Sequence, residues 1–190
     1  MRFFSLIAVV LLFSTILEST VRGDKDDVQL VDRINTLDQQ SSCHLGVRKI
    51  FEGDTDRGME ATLHECVKGV QRIEIIFGLS QKDLIFHYLF VDGSAAKAEV
   101  LERKYRSTAD ADLDFKNPLP PTSRGVLYFD GLKLTSVSSG QTLNISEKNK
   151  NAKAVAFINL VNAVRAALMS SDPHPEFESI SFLTGIFGTD

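Results

Sequence analysis

The chain has 190 residues, 43% of them hydrophobic and 24% charged, with a net charge of -4 and no tryptophan. That length suits one domain with a sizeable core. Mild acidity without a run of Lys or Arg argues against nucleic acid and against an anionic membrane surface, since both need clustered cations.

The first element is a leader. MRFFSLIAVVLLFSTILESTVRG has Arg2 ahead of an apolar stretch from Phe3 to Leu17, then Val21-Arg22-Gly23 and the abruptly charged DKDD. This pattern predicts a secretory signal peptide over 1–23. Its apolar core is shorter than the roughly 20 residues of a membrane-spanning helix. The expected product is an extracellular domain over 24–190, with no membrane insertion once the leader is removed. The next most apolar segment, 152–169, carries Lys153, Asn159, Asn162 and Arg165, and the C-terminal FLTGIFGTD is too short for an anchor-addition signal.

VQLVDRINTLDQQ (28–40) sets Val28, Val31, Ile34 and Leu37 at helical spacing, and Asp26 or Asp27 can cap its start. Cys43 and Cys66 are the only cysteines, and in an oxidising compartment two cysteines pair. The disulfide closes a loop worth about 3 kcal/mol in the chain-entropy account. His44 and His64 flank these cysteines, yet adjacent Cys43 and His44 rarely aim at one ion. H-E-C-V-K after His64 also lacks the second histidine of a zincin. No metal and no cofactor are expected. RGMEATLHECVK (57–68) reads as a second helix, with Met59, Leu63, Cys66 and Val67 on one side and Gly69 at its end.

IEIIF (73–77) and LIFHYLF (84–90) read as a hairpin, and Asp92-Gly93-Ser94 ends the second strand. AAKAEVLERKYR (95–106) reads as a short helix. Residues 107–125, with Pro118, Pro120 and Pro121, read as a long surface loop. VLYF (126–129), Asp130-Gly131 and LKLTSV (132–137) form another hairpin, with TLNIS (142–146) as a third strand. Asn144-Ile145-Ser146 is a glycosylation acceptor pattern. NAKAVAFINLVNAVRAALM (151–169) is a helix whose Ala154, Phe157, Ile158, Val161, Val164 and Leu168 share a broad apolar face. FESISFLTGIF is a last strand or a docked tail. Together these predict a single α+β domain: a mainly antiparallel sheet packed against a long C-terminal helix, with helices at the N-terminal end.

Signals for chemistry are sparse. There is no G-x-S-x-G, phosphate loop or dinucleotide fingerprint. His87 on a strand is a candidate acid or base, although a partly buried histidine bonded to a neighbour is the simpler reading. His174 lies between prolines, and Asp110, Asp112 and Asp114 lack the glycine and glutamate of a calcium loop. A ribonuclease-like hydrolase would draw on His44, His64 or His87 with Glu65. A carrier of a small apolar ligand would need a cavity lined by Phe77, Phe86, Phe90 and Phe157. The leading expectation is a noncatalytic protein that binds another protein, through the 107–125 loop and the acidic turn Glu52 to Asp56. The layout of leader, one small domain and few cysteines resembles the secreted effectors of filamentous pathogens. An R-x-L-R translocation motif is absent between residues 24 and 60.

Overall fold

β-pairing takes most of the chain between Cys43 and Ser139. The computed structural model describes residues 25–107, 113–139, 143 and 145–188. The leader, Asp110, Asp112 and the acceptor Asn144 lie outside the described residues. By contacts the chain divides into two units, Met1–Gln39 and Gln40–Asp190. The first contains helix α1 (25–40), which covers the predicted 28–40 segment. Within it, the Thr36 hydroxyl donates to the Asp32 carbonyl at 2.8 Å.

The second unit holds β1 (Cys43–Gly53), β2 (Met59–Cys66), β3 (Val70–Gly78), β4 (Lys82–Val91), β5 (Ser94–Ser107), β6 (Leu113–Pro118), β7 (Thr122–Asp130) and β8 (Lys133–Ser139). Helix α2 (Lys150–Met169), the two-residue β9 (Glu176–Phe177) and helix α3 (Ser179–Phe187) follow. The sheet order is β8-β7-β5-β4-β3-β2-β1-β9, with β6 on β5. Neighbours are antiparallel except for the parallel β1–β9 contact. The fold is therefore a mixed α+β domain with one short N-terminal helix and a longer helix toward the C-terminus.

Two expected helices are strands. Residues 59–66 pair with β1 and β3, and 94–107 pairs with β4, β6 and β7. The turns explain both. Lys68-Gly69 and Asp92-Gly93 all have positive φ, which gives tight links of three residues (67–69) and two residues (92–93) whose twist suits a hairpin. The described part of the polar 107–125 stretch is largely paired instead of looped: β6 lies on β5, and β7 begins at Thr122. Among the described residues of 142–146, none is in a strand. The final segment is β9 followed by a helix.

Met59, Ala61, Leu63, Ile73, Ile75, Phe77, Phe86, Val100 and Leu127 are buried on one sheet face. Helix α2 covers that face and reaches from β8 to β1. Its buried residues include all six of the predicted apolar face, together with Leu160 and Lys153. The length and apolarity of α2 would also allow a membrane span, but its buried stripe is what a core helix shows. The space between sheet and helix is filled with rings. Phe86 lies 5.6 Å from Phe77 and 6.2 Å from Phe157, while Arg165 sits over Phe90 at 5.0 Å.

Distant side chains satisfy the helix ends. Lys49 Nζ donates to the carbonyls of Ala167, Ser170 and Asp172 at the end of α2. Asp54 accepts from the Ser179 and Ile180 amides at the start of α3, at 2.8 and 3.0 Å. Buried Lys153 donates to the Gly185 and Gly188 carbonyls at its end. Each contact places charge where the helix dipole favours it and answers a backbone group left over by the helix.

Candidate functional site

The cysteines are bonded across β1 and β2, with Cα atoms 4.0 Å apart. Cys43 faces Cys66, the close approach of a directly opposed antiparallel pair. Register then settles where the flanking histidines point. His44 opposes Glu65, and Leu45 opposes His64. Opposed residues share a face and successive ones alternate, so His44 and Glu65 lie on the α2 side while His64 lies on the other. His44 Nε2 is 3.7 Å from Glu65 Oε2, with both side chains mostly exposed.

His87 shares the His64 face but sits two strands away. The intervening distance is about 10 Å across the sheet, plus a step along it. Its own row reads Thr62, Glu74, His87 and Glu99 on adjacent strands. His87 Nε2 is 2.9 Å from Glu74 Oε2, and Nδ1 is 3.8 Å from Glu99 Oε2. The Glu74 hydrogen bond raises the His87 pKa above its ordinary value, against the effect of burial. The same bond lowers that of Glu74. Carboxylates beside both ring nitrogens favour the imidazolium over the neutral ring, against what a general base needs. The structure therefore brings His87 together with Glu74 and Glu99, and not with His44, His64 or Glu65. Among the described residues, no group of three or more His, Cys, Asp or Glu side chains is arranged to hold a metal ion.

The pair has a pH signature. Stability from His87 is full below the ordinary histidine pKa and is lost as pH rises through the elevated folded value; stability from Glu74 is lost only as pH falls through its lowered value. His87 followed by NMR is expected to titrate above 6.5 in the parent chain and closer to 6.5 in Glu74→Gln. An unchanged midpoint in the variant would rule out the clamp.

Asp83, which sequence reasoning passed over, and Glu102 each gather several charge contacts. Asp83, almost wholly buried, accepts from Arg57, from Arg103 Nε at 2.9 Å and from the Tyr105 hydroxyl. Arg57 also stacks over Tyr105 and Phe115, at 4.5 and 4.6 Å, and donates to the Leu79 carbonyl. On the opposite face Glu102 meets Lys82 at 2.9 Å, Lys104 at 3.4 Å and Arg124. Burial opposes its charge, yet the hydrogen bonds from Lys82 and Arg124 hold its carboxyl down to about 2. These contacts tie the β1–β2 and β3–β4 turns, β5 and β7 into one end of the sheet.

The acidic turn is similarly engaged. Asp54 caps α3, and Asp56 accepts from the Ser80 amide at 2.9 Å and from its hydroxyl. β1 carries an open edge. Among the described residues, its edge away from β2 pairs only with β9, at Glu52 and Gly53. Leu45 and Ile50 are 61% and 59% exposed on the face opposite α2. The two cations that would blunt such an edge are occupied, Lys49 at the end of α2 and Arg48 with Glu60 at 2.7 Å. No family model matches this chain, and no curated protein or solved structure matches it either.

Proposed function

We propose that this chain is a secreted, noncatalytic binding protein whose partner is another protein, engaged along the open edge of β1. The observation that supports this reading is the edge itself: an eleven-residue strand with ladder partners on one side over most of its length, carrying exposed Leu45 and Ile50. An extended segment added to such an edge gains main-chain hydrogen bonds, and the exposed apolar side chains select among segments. The histidines do not support a hydrolase in the same way, because they are split between two faces and two neighbourhoods. The layout shared with pathogen effectors makes a host protein the first partner to test.

The test uses the secreted chain with a photo-crosslinking residue at position 50, exposed to host extracellular proteins. A discrete partner is expected to crosslink and to be lost in Leu45→Lys/Ile50→Lys. That double variant should unfold within about 0.5 kcal/mol of the parent, as exposed substitutions do. Capture that persists in the double variant, or no crosslink at position 50, would overturn the reading.

A further inference from the structure

Glu52 and Glu176 face one another across the β1–β9 pair, at the point where the open edge of β1 ends. Both residues are exposed, and so is Glu178. Like charges directly opposed on neighbouring strands are destabilising. Among the described residues, none of these three carboxylates has a hydrogen bond or an ion pair. The cations of β1 are committed elsewhere, Arg48 to Glu60 and Lys49 to the carbonyls at the end of α2. Together with Asp54, whose carboxylate caps α3, the three line an open recess of about 280 Å³ that Gly53 and Phe177 complete.

We propose that the segment added to β1 is basic at one end. It is an extended peptide whose apolar side chains lie beside Leu45 and Ile50, and whose end next to β9 carries a Lys or Arg that enters this recess. The inference rests on the reading of the β1 edge as the docking site and names the chemistry of the partner. β9 occupies the edge at Glu52 and Gly53, so the added segment stops short of them. A long side chain at its end still reaches the diagonal neighbour across a strand pair. There it meets carboxylates that have no cation of their own, and charge-assisted hydrogen bonds are roughly twice as strong as neutral ones. It also offsets the opposition of Glu52 and Glu176, which an acidic segment would worsen.

The experiment pans a displayed library of random peptides against the full chain, each peptide about nine residues long to match the open stretch of β1. Enriched peptides are expected to carry Lys or Arg at one end, and their binding should fall in Leu45→Ser/Ile50→Ser, an uncharged change that leaves the recess alone. Replacing the terminal cation of one such peptide by Gln should weaken it roughly tenfold in the parent. In Glu52→Gln/Glu176→Gln/Glu178→Gln the same replacement should cost less than about twofold. That triple variant should unfold no earlier than the parent, because it removes opposed like charges. Peptides that depend on Leu45 and Ile50 but show no preference for a cation would overturn this inference and leave the edge reading standing. A cation effect of equal size in the triple variant would also overturn it. No enrichment, or peptides that bind Leu45→Ser/Ile50→Ser as tightly as the parent, would sink both the inference and the edge reading.

Discussion

Asp83→Ala is expected to lower the unfolding free energy by about 3–5 kcal/mol, the cost of removing one member of a buried ion pair while its partners stay in place. The side chain of Asp83 is only 4% exposed, and it gathers Arg57, Arg103 and the Tyr105 hydroxyl. Alanine leaves two guanidinium groups facing one another without the anion between them. The loss should spread beyond β4, because Arg57 belongs to the β1–β2 turn and also holds the Leu79 and Lys82 carbonyls. The close approach there is strict: a Cβ on Gly78 would come within 2.7 Å of Arg57 Cβ. Urea unfolding at neutral pH reads the effect as a lower midpoint at unchanged slope. A loss under about 1 kcal/mol would mean that the cluster behaves as a solvated surface pair.

Phe86→Ala carries a comparable expectation, about 3–5 kcal/mol, for a different physical reason. Phe86 is fully buried and touches the rings of Phe77, Tyr88, Phe157 and Phe187. Alanine removes apolar area and leaves a cavity that four rings from the sheet, α2 and α3 cannot all close. The Tyr88 hydroxyl beside it donates to the Phe157 carbonyl at 3.0 Å, and complete burial raises its pKa well above the ordinary value. Hydrogen exchange should show α3 loosening first, because Phe187 is one of the anchors of that short helix. Equal protection of α3 in parent and variant would show that it is held instead by Asp54 and Lys153.

Helix α2 was legible because six apolar residues at helical spacing within one 19-residue segment leave only a narrow polar stripe. The β3–β4 and β7–β8 hairpins were legible because β-branched and aromatic residues cluster on either side of turn signals. The β2 and β5 strands were not. Met59, Leu63 and Cys66 fit a helical face, while Met59, Ala61 and Leu63 fit a strand, and the Ala, Glu, Lys and Leu of 95–104 are strong helix formers. Pairing on both sides overrides that preference. For β5 the distinguishing signal is Asp92-Gly93, the same dipeptide that identified the turn at Asp130-Gly131. The disulfide was legible from the cysteine count together with the expected leader. The separation of His44 from His64 was not, because it follows from strand register. Apart from Lys104 beside Glu102, the Asp83 and Glu102 clusters join residues about 20 or more positions apart, so they become visible only when the strand order is known. The same holds for the open edge of β1.

The strand order has a consequence for a chain made from its N-terminus. From β1 to β5 each strand lies beside the one made just before it. A nascent chain can therefore add strands as they emerge, without waiting for distant sequence. Cys43 and Cys66 belong to the first such pair, so their oxidation can lock the growing edge while the remainder is still being delivered. The C-terminal elements reverse this direction of growth: α2 reaches back to β1 and β2, β9 pairs with β1, and Asp54 caps α3. The local pairing of β1 to β5 favours fast assembly, whereas the closure of β9 on β1 is a long-range step that waits for the C-terminal elements.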